Sequence, residues 1–152
     1  MALEEINYLW EHWKFNAEQR IKAFNFFVVF AVFLNGGVFT SIEKCASFPV
    51  FVMIGTFIVI VAAVFWIIDV RSQGLIHLSI PGIKAYEQSL TPESRLFHLD
   101  EPARGKRVRF TYAFRTLFVA QIAFGVVVAG YGLAGLAGPT FGFRVTALAV
   151  CK

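Results

Sequence analysis

The side chains able to act as nucleophiles, bases or metal ligands are few and scattered. His12, His77 and His98 share no ligand spacing with one another or with the two cysteines, Cys45 and Cys151. There is no H-E-x-x-H pair, no Gly-Lys-Ser phosphate loop and no G-x-S-x-G elbow. Catalysis needs convergent reactive groups, so neither an enzyme nor a bound metal or other cofactor is expected. Two other patterns carry chemistry. Arg104, Lys106, Arg107 and Arg109 place four positive charges within six residues, the one charge cluster of the chain. Such a cluster contacts anionic lipid headgroups, or else a polyanion such as a nucleotide or oligonucleotide signal. Phe110 and Tyr112 follow it, and suit base stacking and a membrane interface equally. The second pattern is Asn35-Gly36-Gly37, an amide followed by two weak helix formers inside a long apolar run. A buried amide needs a partner, so Asn35 either bonds across helices or projects into a water-filled path, where the two glycines would form a constriction or hinge.

The elements that hold these groups follow from composition. With 57% apolar and only 16% charged residues among 152, the chain has too few charges to clothe a soluble core. A mean hydropathy of +0.65 agrees. Disorder and a disulfide-dense secreted scaffold are excluded by the apolar excess and the two cysteines. Three uncharged stretches, 23–41, 48–68 and 116–138, each approach the roughly 20 residues needed to cross a bilayer. They are continuous rather than alternating, which predicts transmembrane helices and not a barrel. The expected fold is all-α, with three transmembrane helices, an N-terminal amphipathic helix over 1–22, a basic helical loop over 70–115 and a tail over 139–152.

Loop charges set the orientation. Arg71, Lys84, Arg95, Arg104, Lys106, Arg107, Arg109 and Arg115 lie in the loop, against Lys44 alone in the short turn. The loop and the amino terminus are therefore expected in the cytoplasm and the carboxyl terminus outside. Cys45 and Cys151 then share the outer side, where a disulfide is permitted. The acids Glu4, Glu5, Glu11 and Glu18 and the length of the apolar block after them argue against a cleaved signal peptide.

Within the arm, Leu3, Ile6, Trp10, Trp13, Ala17, Ile21 and Phe24 recur at helical spacing, predicting an apolar face for other helices or subunits. The alternative is a helix resting on the membrane surface. In the loop, Pro81 and Gly82 are expected to interrupt the continuation of the second span, with Ser79 capping a new helix. In the third span Gly130, Ala134 and Gly138 are four apart, as are Gly125 and Ala129, which predicts close helix packing within or between subunits. The polar groups of the first span, Asn25, Asn35, Thr40 and Ser41 with Gly36 and Gly37, are the candidate pore lining or gate.

Two segments carry a resemblance: WKFNAEQRIKAFNFF at 13–27 and FWIIDVRSQGLIHLSIPGIKAYE at 65–87. Over about the first 90 residues the chain resembles small bacterial multi-pass membrane effectors of anti-phage defence systems. These are the channel-forming partners of retrons or of nucleotidyltransferases, as in Hailong-type systems. Arg20, Asn25, Asp69 and Arg71 are the matched positions. The resemblance implies a homo-oligomeric channel in the bacterial inner membrane that harms or arrests the host cell when released from inhibition. No sizeable soluble sensing domain accompanies it here, so a signal would reach the arm, the basic loop or a cytoplasmic partner protein. The competing expectation is a nonconducting anchor or regulatory subunit that docks such a partner through 1–22 and 70–115.

Overall fold

The computed structural model describes residues 2–98 and 110–141, and is helical throughout apart from short turns. Helix α1 runs Ala2–Glu43, α2 runs Phe48–Glu87 and α3 runs Phe110–Phe141, with a 3-10 turn at Pro92–Ser94. All three are long and apolar enough to cross a membrane. At 1.5 Å per residue, α1 and α2 measure about 60 Å, some twice the thickness of the hydrocarbon layer. The arm and the first span are thus one uninterrupted helix. Arg104, Lys106, Arg107 and Arg109 lie outside the described residues, as does Cys151 and with it any pairing to Cys45.

The α1–α2 connection closes as a Schellman turn. Cys45, at φ 50, donates its N–H to Ile42 O at 3.1 Å, and Ala46 donates to Ser41 O at 2.9 Å. A non-glycine residue in this left-handed conformation costs about 1 kcal/mol. The short loop and the caps it satisfies hold it there.

Pro81 does not end a helix: α2 passes through it to Glu87, correcting the expected interruption. Proline removes one hydrogen bond and crowds the preceding turn. The turn persists because the residues beyond it are buried: Ile83 and Glu87 are each 5% exposed. A Cβ at Gly82 would sit 2.6 Å from Leu9 Cδ1, so α1 lies directly against this point. Ser79 is accordingly a mid-helix residue and not a cap.

The chain divides into two compact units. The unit formed by 25–66 and 116–152 has an apolar core of Val38, Phe51, Ile58 and Val128, flanked by Leu34, Ile42, Ile54, Phe124 and Tyr131. Phe27 meets Phe118 edge to face at 4.6 Å. Here α2 and α3 touch backbone to backbone. A Cβ on Gly55 would lie 2.7 Å from Gly125 O and 2.8 Å from Ala129 Cα, and one on Gly132 would lie 2.7 Å from Val52 N. The close approach is made by Gly55, Gly125, Ala129, Gly132 and Gly135. Gly130 has open space around it and Ala134 is exposed, so these two do not form the intrachain seam. Gly138 belongs to α3, and its surroundings fall outside the described residues. The outer surface of this unit is apolar, with Met53 and Val127 both largely exposed, as lipid-facing side chains are.

The unit formed by 1–24 and 67–115 packs differently. Its buried side chains include Asn16, Asp69, Ser79 and Glu87. Of the expected apolar stripe, Ile6, Trp13, Ala17 and Phe24 are half-buried while Trp10 and Ile21 are exposed, and Leu9, His12, Asn16 and Arg20 extend the inward face to one side. Polar side chains on α1 meet polar side chains on α2 at matching heights, and that pairing fixes the rotation.

Candidate functional site

Arg20 on α1 and Asp69 on α2 form an ion pair, Nε to Oδ1 at 2.6 Å. Asp69 is 5% exposed, and its second oxygen accepts from Gln73 Nε2 at 2.6 Å, one turn along α2. Arg20 Nη2 also donates to Thr111 Oγ1 on α3 at 3.3 Å. Its guanidinium lies 5.0 Å from the centre of the Phe114 ring, which stacks in turn on Phe24 at 3.7 Å. One arginine therefore ties all three helices, using its fork toward the carboxylate and its flat face toward an aromatic ring.

Two turns toward the amino terminus the seam stays polar. Asn16 Nδ2 donates to the backbone oxygen of His12 at 2.7 Å, which aims the amide N–H of Asn16 at His12 Nε2, 3.3 Å away. His12 Nδ1 lies 2.7 Å from Ser79 Oγ, so the ring bridges Asn16 on its own helix and Ser79 on α2. A histidine beside a serine suggests a base and nucleophile. Here the hydroxyl is sealed between the helices at 2% exposure, and the contact locks helix register.

Beyond α2 the chain is stapled back. Glu87 accepts the backbone N–H of Phe97 at 3.1 and 3.2 Å and that of His98 at 3.3 Å. Arg95 donates to Leu90 O and Gln88 O, each at 2.9 Å, satisfying carbonyls left open at the helix end. Phe97 meets Trp13 edge-on at 5.8 Å.

In the apolar unit, Asn35 and Gln121 exchange amide hydrogen bonds between α1 and α3. Asn35 Nδ2 donates to Gln121 Oε1 at 3.3 Å, and Gln121 Nε2 donates to Asn35 Oδ1 at 2.8 Å. Thr40 and Ser41 donate to Gly36 O and Gly37 O at 3.0 and 2.8 Å, the residues four back on the same helix. Of the candidate lining, Asn25, Gly36 and Thr40 are exposed, whereas Asn35, Gly37 and Ser41 are half-buried. A half-open groove of about 230 Å³, bounded by Val38, Ile42, Phe51, Phe124 and Tyr131, is wholly apolar.

Among the described residues, no buried side-chain nitrogen or oxygen lacks a hydrogen-bond partner, and no group of three or more His, Cys, Asp or Glu side chains suits a metal ion. The sequence pattern did not join His12, Asn16 and Ser79 because each is unremarkable alone; the signal was the spacing of four between His12, Asn16 and Arg20.

No protein-family model and no solved structure matches the chain. Over 70 residues it is 26% identical to the Escherichia coli protein named CD-NTase-associated protein 19. That stretch is 45% of this chain and 46% of the relative, so the chain matches about half the length of that protein.

Proposed function

We propose that the chain is the subunit of a homo-oligomeric, ion-conducting pore in the bacterial inner membrane, with the amino terminus in the cytoplasm, serving as a defence or toxin-like effector that depolarises or arrests the cell. The observation that carries this reading is the exposed polar edge of α1. At about 100° per residue, Asn25, Gly36 and Thr40 fall within about 60° of one another, and all three are exposed on an otherwise apolar span. Hydrocarbon offers an amide no partner; water or a neighbouring subunit does. Val29, Val32 and Phe33, also exposed, lie between them and would form an apolar constriction that gates by dewetting. Three helices alone enclose little, so the pore is assembled from identical copies.

The resemblance of 13–27 and 65–87 to defence effectors supports the same reading. So does the name of the relative, which associates that protein with a nucleotidyltransferase. A nucleotidyltransferase, or a nucleotide it makes, is the proposed trigger, acting through the basic segment Arg104, Lys106, Arg107 and Arg109 or through a partner protein. A second reading, a nonconducting anchor, is favoured by the Asn35–Gln121 pair, which turns the most deeply placed amide inward. Planar-bilayer recording together with depolarisation of expressing cells separates them. Discrete conductance that falls in Asn25→Leu and Thr40→Val supports the pore; silent bilayers and unchanged membrane potential under overexpression support the anchor.

A further inference from the structure

Outside the hydrocarbon, α1 and α2 each present an outward stripe with no cover among the described residues. On α1, Tyr8 and Phe15 are 70% and 60% exposed, seven residues apart on one face, with Glu4, Glu11 and Glu18 beside them at the same interval. On α2, Leu78 is 71% exposed between Arg71, Gly74, Pro81 and Ala85, all exposed as well. A Cβ at Gly74 would meet nothing within 4 Å, leaving a shallow hollow beside Leu78.

Lipid does not cover these residues. Counted from Ala23, Phe15 lies about 12 Å and Tyr8 about 22 Å along the helix, whereas the headgroup layer adds only about 5–8 Å per side. The acids beside them also oppose anionic lipid.

The two stripes match in height. Arg20–Asp69, His12–Ser79 and Leu9–Gly82 fix the antiparallel register of α1 and α2. In that register Glu18 stands level with Arg71, Phe15 with residues 74–76 and Tyr8 with residues 81–83. Copies in one membrane share orientation and height, so groups at equal height on neighbouring copies meet.

We infer that the α1 stripe of one copy docks on the α2 stripe of the next, with Phe15 over Gly74, Tyr8 over Pro81 and Ala85, Leu78 between the two rings, and Glu18 paired with Arg71. Arg71 forms no ion pair among the described residues, and the one charged neighbour of Glu18 there is Lys22 at 3.9 Å. Pairing α1 stripes with each other would set Glu4, Glu11 and Glu18 against their own copies, which like-charge repulsion disfavours. The contact is therefore head to tail and closes into a ring. This inference rests on the assembly of identical copies in the pore reading, not on conduction.

The test is cross-linking in native membranes. Copies carrying Phe15→Cys and copies carrying Gly74→Cys, co-expressed, are expected to form a disulfide dimer that neither gives alone, and the double variant in one chain is expected to give a ladder ending at the ring size. A companion experiment uses Glu18→Arg and Arg71→Glu. Each alone is expected to lose higher oligomers, and mixing the two restores them, because every contact in an alternating ring regains opposite charges. Phe15→Cys dimers with themselves, or no Phe15–Gly74 product together with no rescue on mixing, would overturn the interface. Cross-linked rings that carry no current would retain it and remove the pore; current without these cross-links would do the reverse.

Discussion

Asn35 and Gln121 face each other across α1 and α3 and exchange hydrogen bonds, each amide donating once and accepting once. Inside an apolar unit that reciprocity is a tether with a definite register. Removing one member orphans the other. Asn35→Leu and Gln121→Leu singly should each destabilise by about 1–3 kcal/mol. The double variant should lose less than the sum, since no buried amide is left unpaired. Thermal unfolding in detergent, compared across the cycle, measures the coupling.

Arg20 and Asp69 should behave more severely. Asp69 is buried and its two oxygens are filled by Arg20 and Gln73. Arg20→Ala leaves a carboxylate without its counter-charge, at a cost of about 3–5 kcal/mol. Arg20→Lys should recover little, because a point charge cannot reach Asp69 and Thr111 together. The yield of folded protein and its melting temperature in detergent report both.

The glycines of α2 and α3 give a contrast within one helix. Gly125→Val should force the α2 backbone away, because its Cβ would lie 2.9 Å from Gly55 O. Gly130→Ala meets nothing within 4 Å and should raise stability by up to about 1 kcal/mol through helix propensity. Melting temperatures of opposite sign for the two variants check this. If Gly130→Ala instead lowers oligomer content while leaving the monomer stable, Gly130 packs between copies.

Glu87→Ala should loosen the elbow after α2 while sparing the spans, since Glu87 is the acceptor for two backbone N–H groups. Hydrogen exchange at Phe97 and His98 should accelerate, with no change at residues 51–66. Glu87→Gln, which keeps an acceptor oxygen, should be intermediate.

The α-helical class, the three spans and the tight turn after Glu43 were legible in the sequence because hydrocarbon admits so few solutions. A long uncharged run must satisfy its backbone internally, and the helix is the way a single segment does so. Asn35 was legible as an amide needing a partner. That Gln121 would be the partner was not, since they are 86 residues apart and only the α1–α3 register joins them. Pro81 misled because local propensity was weighed without Leu9, Ile83 and Glu87, whose packing carries the helix through it. Trp10 and Ile21 of the expected apolar stripe lie exposed for a related reason. Spacing identifies a face, but not which face a neighbour will take, and a buried Asp69 and Ser79 reward the face bearing Arg20 and His12. The sequence by itself determined that this chain forms helices long and apolar enough to cross a membrane, because burying apolar surface is nondirectional and is written in composition. Tertiary structure alone decided which polar groups meet and which glycines touch, because hydrogen bonds and backbone contacts are directional and depend on the rotation of each helix about its axis.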